Sequence, residues 1–495
     1  MENSQSKTPS PLLSLVPLVV LVSLLFVAIS LLGGDALNGA SQVVLLFATA
    51  VCCLIGMLFC KVPWKTFEAA IVNNITGVGT ALIMLLIIGA LSSSWMISGV
   101  VPTLIYYGVQ LIHPNLFLVS TCVICAIVSV VTGSSWTTVA TIGLALLGIG
   151  QVQGFDEGWI AGAIISGAYF GDKVSPLSDT TVLASSVTGT PLFKHIRFLM
   201  ITTVPSLTIA LIIFAVAGFT HQASDTIQIN EFRVALKDTF SISLWLLIVP
   251  VVTGFMIAKR IPAIITLFVS SILAVIFALI FQPDILREIA GAADVNMQSL
   301  FTGSLTALYG STQIETGSAT LNELVSTRGM AGMMNTVWLI LCAMCFGGAM
   351  VASGMLTSII SVFLRFMKNT VGLVSSTVAS GLFFNICTAD QYISIILTGK
   401  MYTQTYKDKG YDSCLLGRTI EDAVTVTSPL LPWNSCGLTQ STVLGVATLT
   451  YLPYCFFNLI SPLMSIFIAT IGFKIPHIAP KKDNSFLEED RFDQK

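Results

Sequence analysis

The chain has 495 residues, 54% of them hydrophobic and only 10% charged, whereas about a quarter of the residues in an ordinary soluble protein are charged. With a mean hydropathy of +0.87, this composition excludes a soluble globular protein and describes a polytopic membrane protein embedded in a lipid bilayer. The net charge of −2 gives no ground for a nucleic-acid partner.

Residues 1–10 lack a basic n-region and a small-residue cleavage site, so the first apolar run is expected to be a retained helix. Stretches near the roughly 20 residues needed to cross a bilayer fall at 11–33, 41–60, 77–98, 157–190, 197–219, 240–258, 261–282, 333–353, 418–446 and 449–473, and no soluble domain fits between them. Two further paired runs, 115–152 and 370–405, are interrupted by Gly133-Ser134-Ser135-Trp136 and by Thr388-Ala389-Asp390-Gln391. Each reads as a re-entrant hairpin or as two thin crossings. The cysteines lie mostly in apolar runs and read as small packing residues. His113, His195, His221 and His477 all fall in predicted loops or the tail, which leaves no histidine for a zinc cage or a buried dyad.

At an offset of 255 residues, Ser98–Trp136 aligns with Ser353–Gln391 without a gap, placing Leu118-Val119-Ser120 over Leu373-Val374-Ser375. This reads as an internal repeat. Cytoplasmic loops hold an excess of Lys and Arg. With the N-terminus inside, most of the 23 basic residues become cytoplasmic. The first loop of half one, Gly33 to Leu37, has no basic residue, while its counterpart in half two carries Lys259 and Arg260, so the halves are inverted. The predicted organisation is a cytoplasmic tail (1–10), a first inverted repeat (11–219), an external linker (220–239), a second repeat (240–473) and a cytoplasmic tail (474–495). Each half is all-α, with about five transmembrane helices plus one re-entrant hairpin. The loop 284–330 lands outside and is expected to carry an interfacial helix around 318–328. Inverted repeats with broken helices characterise secondary transporters, whose site lies at the midplane.

The stretch GAYFGDKVSPLSDTT (167–181) is the most polar interruption of half one. Small residues before it suit close helix contact. Pro176 removes a donor and disfavours helix at Ser175, so an unwound segment from about Gly171 to Ser178 is expected, with a second half-helix after it. Asp172 and Asp179 are costly within a bilayer, about 2.5–3.5 kcal/mol each on insertion scales. The plain alternative is that Asp172 pairs with Lys173 or another charge and Asp179 caps the half-helix. The functional reading is ligation of a hard cation by carboxylate, hydroxyl and carbonyl oxygens. A carboxylate so placed holds a proton or a cation, but hardly both. In half two, EDAVTVTSPLLPWNSCG (421–437) is the counterpart, and Asp390 stands at the hairpin tip where half one has Ser135. Glu421 and Asp422 are expected at a cytoplasmic helix start, where acids suit the macrodipole. Lys173 is the only cation expected at depth, with no arginine in the site.

The motifs GDKVSPLSDTT, NICTADQYISIILTGKMY and EDAVTVTSPLLPWNSCG closely resemble those of the NhaC family of sodium/proton antiporters, and the likeness spans nearly the whole chain. The resemblance implies sodium/proton exchange in a multi-pass protein of the bacterial inner membrane, not an enzyme, with no cofactor beyond the transported ions and a homodimer among the assemblies open to it. Carried over position by position, it implies an ion-coupling set of Asp172, Ser175, Asp179, Thr180, Asp390, Thr427 and Asn434, to which the hairpin tip adds Ser135. Asp172, Asp179 and Asp390 are the candidate sodium ligands. Some proteins resembling this family exchange organic acids with sodium, which keeps a carrier of a small carboxylate or amino acid as the alternative. An intramembrane aspartyl protease is disfavoured, because Tyr169 stands where the first glycine of G-x-G-D should be.

Overall fold

The computed structural model describes residues 9–32, 39–220, 226–316, 321–322, 325–363, 367 and 369–477. Among these residues the chain is all helix and connecting turns, apart from isolated bridges at Thr312–Thr327 and Tyr411–His477. Among the described residues nine helices are long and apolar enough to cross a membrane, or up to eleven if each of two bent pairs is one span. The chain is thus an all-α polytopic membrane protein. Its outer face carries large apolar side chains such as Phe26, Leu58, Val251 and Leu463, as a lipid-facing surface allows. The loop Gly33 to Leu37, the N-terminal tail up to residue 8 and the tail beyond 477 lie outside the described residues.

Several connections carry more structure than hydropathy indicates. Trp64–Gly77 and Val100–Leu111 are helices. The expected linker 220–239 contains the helix Thr226–Thr239, whose end meets Leu244–Ala258 at 87°. The loop 284–330 holds two helices, Pro283–Ile289 and Met297–Tyr309. A Cβ on Gly303 would stand 2.0 Å from the Leu286 carbonyl oxygen, so these two touch backbone to backbone. The interfacial helix expected at 318–328 falls partly on undescribed residues, and the next long helix starts at Gly329. All the added helices are too short or too polar to register as spans.

Four elements position the site. The first hairpin pairs Phe117–Thr132 with Ser135–Val152, turning at Gly133 with φ of 68°. The first broken helix is Glu157–Val174 followed by Asp179–Thr188. The second hairpin is Thr370–Thr388 and Gln391–Asp408, turning at Ala389. The second broken helix runs Ser413–Ile420, a wide π-turn at Glu421–Thr425, a short turn at Ser428–Leu430, then Ser435–Leu444. In each half, then, a hairpin with a left-handed residue at its tip precedes a helix broken at Ser-Pro.

Small residues draw the first hairpin onto the first broken helix. A Cβ at Gly167 would lie 2.1 Å from the Cys122 carbonyl oxygen, and one at Gly171 would lie 2.4 Å from Ser129 Cβ. The Ser129 hydroxyl donates to the Ala168 carbonyl at 2.5 Å. Without a hydrophobic drive between helices in lipid, such close approach supplies the packing and hydrogen bonding that hold them together. The cysteines are all unpaired, and Cys122 and Cys125 serve this contact.

Candidate functional site

The first break is shorter than the sequence suggests. Gly171–Val174 stay helical, and only Ser175 to Ser178 leave the helix. Pro176 constrains the residue just before it and does not reach back to Gly171, whose missing side chain serves contact with the first hairpin. Ser178 caps the second half-helix, accepting from the Thr181 N–H at 3.4 Å. The Thr181 hydroxyl returns to the Asp172 and Lys173 carbonyls at 3.1 and 3.0 Å, so the oxygens at the end of the broken helix are satisfied.

Asp172 is 5% exposed. Its carboxylate accepts the Ser135 N–H at 3.3 Å, the Ser135 hydroxyl at 2.7 Å and the Ser178 hydroxyl at 2.5 Å. Every one of these donors is neutral, and no ion pair reaches Asp172 among the described residues. Lys173 points elsewhere, to Asp422 and to Ser461, which removes the adjacent-pair alternative. Gly133 lets the hairpin tip seat on the break, since a Cβ there would lie 2.6 Å from the Leu177 carbonyl carbon.

The second half exchanges the roles. Ala389 takes φ of 57°, uncommon for a residue with a side chain. Asp390 then caps the following helix, accepting from the Ile393 N–H at 3.0 Å. The Ser435 hydroxyl donates to Asp390 at 3.1 Å, and the Ser435 N–H donates to the Ala389 carbonyl at 2.8 Å. In half one the tip supplies the hydroxyl and the break supplies the carboxylate; in half two the tip supplies the carboxylate. Gln391 and Tyr392, the two residues after Asp390, line one cavity with Asp172 and Asp179, so the two sets are neighbours.

A cavity of about 620 Å³ opens onto this junction, lined by Asp172, Asp179, Thr180, Ser134, Thr137, Gln391, Tyr392 and Arg260 among others. Asp179 is exposed to it at the first turn of its half-helix. The Thr180 hydroxyl pairs with Ser178 at 2.9 Å. Three of the expected polar residues brace the backbone instead. Ser175 donates to the Val130 carbonyl at 2.8 Å. Thr427 donates to the Ala423 carbonyl and accepts from Asn385. Asn434 caps Ser435–Leu444 through the Cys436 N–H and donates to the Asn385 carbonyl. The residues that reach the carboxylates are Ser135, Ser178 and Ser435, each beside a helix break or hairpin tip.

The largest departure from expectation is the acidic pair of half two. Glu421 and Asp422 are fully buried, as is Arg418, so this is neither a cytoplasmic helix start nor a site without arginine. Asp422 forms an ion pair with Lys173 and accepts from Thr202 at 3.0 Å and Ser461 at 2.9 Å. Arg418 Nε stands 4.0 Å from its other oxygen, with the guanidinium over the Phe198 ring. His195, expected in a loop, is buried within Leu192–Thr220 against Gly417.

Residues 167–473 match the model of the Na+/H+ antiporter family. The chain is 36% identical over 425 residues to the Na+/H+ antiporter NhaC of Alkalihalophilus pseudofirmus, covering 85% of this chain and 89% of that one. It is 36% identical over 401 residues to the malate-2H+/Na+-lactate antiporter of Bacillus subtilis, covering 80% and 82%. It is also 32% identical over 477 residues to the arginine/ornithine antiporter ArcD of Halobacterium salinarum, covering 95% and 93%. On the family model and on these identities along most of its length, the chain belongs to the Na+/H+ antiporter family.

Proposed function

We propose that the chain is a secondary active transporter exchanging sodium ions for protons across the bacterial inner membrane, with both termini cytoplasmic. The observation that carries this reading is Asp172, a buried carboxylate held by three neutral donors and no cation. A charge so placed is unfavourable unless a bound cation, or a proton taken up within the same buried group, balances it. The surrounding ligands are hydroxyl, carboxylate and carbonyl oxygens, which suit a hard cation, with Asp172, Asp179 and Asp390 as the sodium ligands. One neutralising charge at a time makes the two ions exclude one another, and that exclusion is the coupling.

The test is flux into proteoliposomes under an imposed sodium gradient, with internal pH as the readout and no organic solute present. Sodium alone should drive proton movement. Raising the pH should lower the apparent sodium constant by up to about tenfold per unit while protons occupy the site. Asp390→Asn should weaken sodium binding. A sodium affinity independent of pH across about pH 6–9 would overturn the exchange. A second reading, a sodium-coupled carrier of a small organic ion, is favoured by the cavity volume of about 620 Å³ and by Arg260 in its wall, which suit a ligand larger than sodium. Adding malate, lactate, arginine or ornithine separates the two, since pure sodium/proton exchange leaves the rate unchanged.

We also take the two repeats to be inverted. Single cysteines placed by Asp35→Cys and Lys259→Cys on a cysteine-free background should then react with an impermeant thiol reagent from opposite faces, Asp35→Cys from outside. Labelling of both from one face would refute the inversion.

A further inference from the structure

Glu421 plays no part in the reading above, yet it is the one fully buried glutamate among the described residues, and neither of its oxygens has a hydrogen-bond partner. It opens the π-turn Glu421–Thr425, a local widening often found at functional sites. The turn packs against both arms of the first broken helix, the first of which carries Asp172 and Lys173, and Asp422 is its neighbour in the chain. Arg418 lies one turn before it, and His195 packs on Gly417 from Leu192–Thr220.

The charges of this group do not cancel. Lys173 and Arg418 bring two positive charges, and Asp422, Glu421 and Asp172 bring three negative ones if all are ionised. A single monovalent cation closes the balance. Asp422 is committed to Lys173 and Arg418. Asp172 has three donors and faces the cavity. Glu421 lines neither that cavity nor the one beside Trp159, and no hydrogen bond reaches its oxygens. Asp179 and Asp390, the other sodium ligands proposed above, lie outside this group: Asp179 is exposed at the cavity, and Asp390 is held by Ser435 and the start of its own helix.

We infer that Glu421 holds the exchanged proton while Asp172 holds the sodium ion, the two sites being coupled through the shared charge balance with Lys173. With sodium on Asp172, Glu421 is ionised; when sodium leaves, one proton moves onto a Glu421 oxygen and the buried group is again neutral. The inference rests on the sodium/proton reading and names where its proton sits.

Glu421→Gln mimics the protonated form at constant shape. In purified protein it should still bind sodium, more weakly. Its apparent sodium constant should change less than about twofold across pH 6–9, where the wild type changes by up to about tenfold per unit. Sodium-driven proton movement should fall to background. If the wild type and Glu421→Gln show the same pH slope, the assignment of the proton is overturned while the exchange reading stands. A wild-type affinity that itself ignores pH overturns the exchange reading. A second measurement needs no variant: in protein labelled with glutamate carrying ¹³C at its carboxyl, adding sodium should remove an infrared band of a protonated carboxyl, and that band should show the isotope shift. A band without the shift would place the proton on an aspartate and overturn the inference.

Discussion

Asp172→Asn is expected to abolish sodium-driven proton movement while leaving a folded protein. Asparagine keeps the shape and one carbonyl oxygen, so of Ser135 and Ser178, which donate to opposite carboxylate oxygens at 2.7 and 2.5 Å, one retains its acceptor and the other hydroxyl turns to accept from the amide. The side chain no longer carries the charge that a cation would neutralise. Placing that charge in the bilayer costs about 2.5–3.5 kcal/mol on insertion scales, and a bound sodium ion recovers stabilisation of this order. Its loss corresponds to on the order of a hundredfold in sodium affinity. Thermal stability in detergent should hold or rise, because an uncompensated buried carboxylate has gone. Asp179→Asn should do less, since that carboxylate faces the cavity and is solvated. Normal flux through Asp172→Asn, measured by internal pH at matched protein density, would remove Asp172 from the transport site.

The second large effect is structural. Asp422→Ala takes the central acid from between Lys173 and Arg418, all three of which are fully buried. Breaking a buried pair from one side typically costs about 3–5 kcal/mol, because an unpaired charge stays behind. Thr202 and Ser461 also lose their acceptor. The melting temperature of the purified protein should drop sharply, and expression with it. Replacing both partners, Lys173→Met with Asp422→Leu, should recover part of the loss, since apolar residues of similar volume substitute for a buried pair far better than half of one does. A single variant as stable as the wild type would show that water reaches this network and that its burial is not maintained.

Ser178, an N-cap, and Ser435, the first residue after the cap Asn434, show what a helix restart supplies to a carboxylate here. Each sits where a helix restarts after a Ser-Pro break and is oriented by the local backbone. Ser178 donates its hydroxyl to Asp172 and Ser435 donates to Asp390. A helix start brings unpaired N–H groups together with short hydroxyl side chains, and at membrane depth this is a rare supply of donors for a carboxylate.

Much of this was written in local sequence. The long apolar runs specify membrane helices, because every backbone group in lipid must be bonded within its own helix. Pro176 and Pro429, flanked by hydroxyls, mark the two breaks, and the polar tips around Ser135 and Asp390 mark the hairpins, since proline and polar residues interrupt a helix wherever they fall. The long motifs also carry the family. What local sequence could not carry is depth and partnership. Glu421, Asp422 and Arg418 lie close together beside Lys400–Arg418, a basic stretch, so a sliding window reads them as surface. Only the tertiary structure encloses them, because Lys173, the counter-charge of Asp422, comes from 249 residues away. The helices Pro283–Ile289 and Met297–Tyr309 were hidden for a related reason: they are held by contact at Gly303 rather than by length. Likewise, whether a serine reaches a carboxylate or braces a carbonyl depends on which element is packed against it. Ser135 and Ser175 have the same chemistry, and the first hairpin and the first broken helix, pressed together along Gly167 and Gly171, decide that one meets Asp172 and the other meets the backbone of Val130.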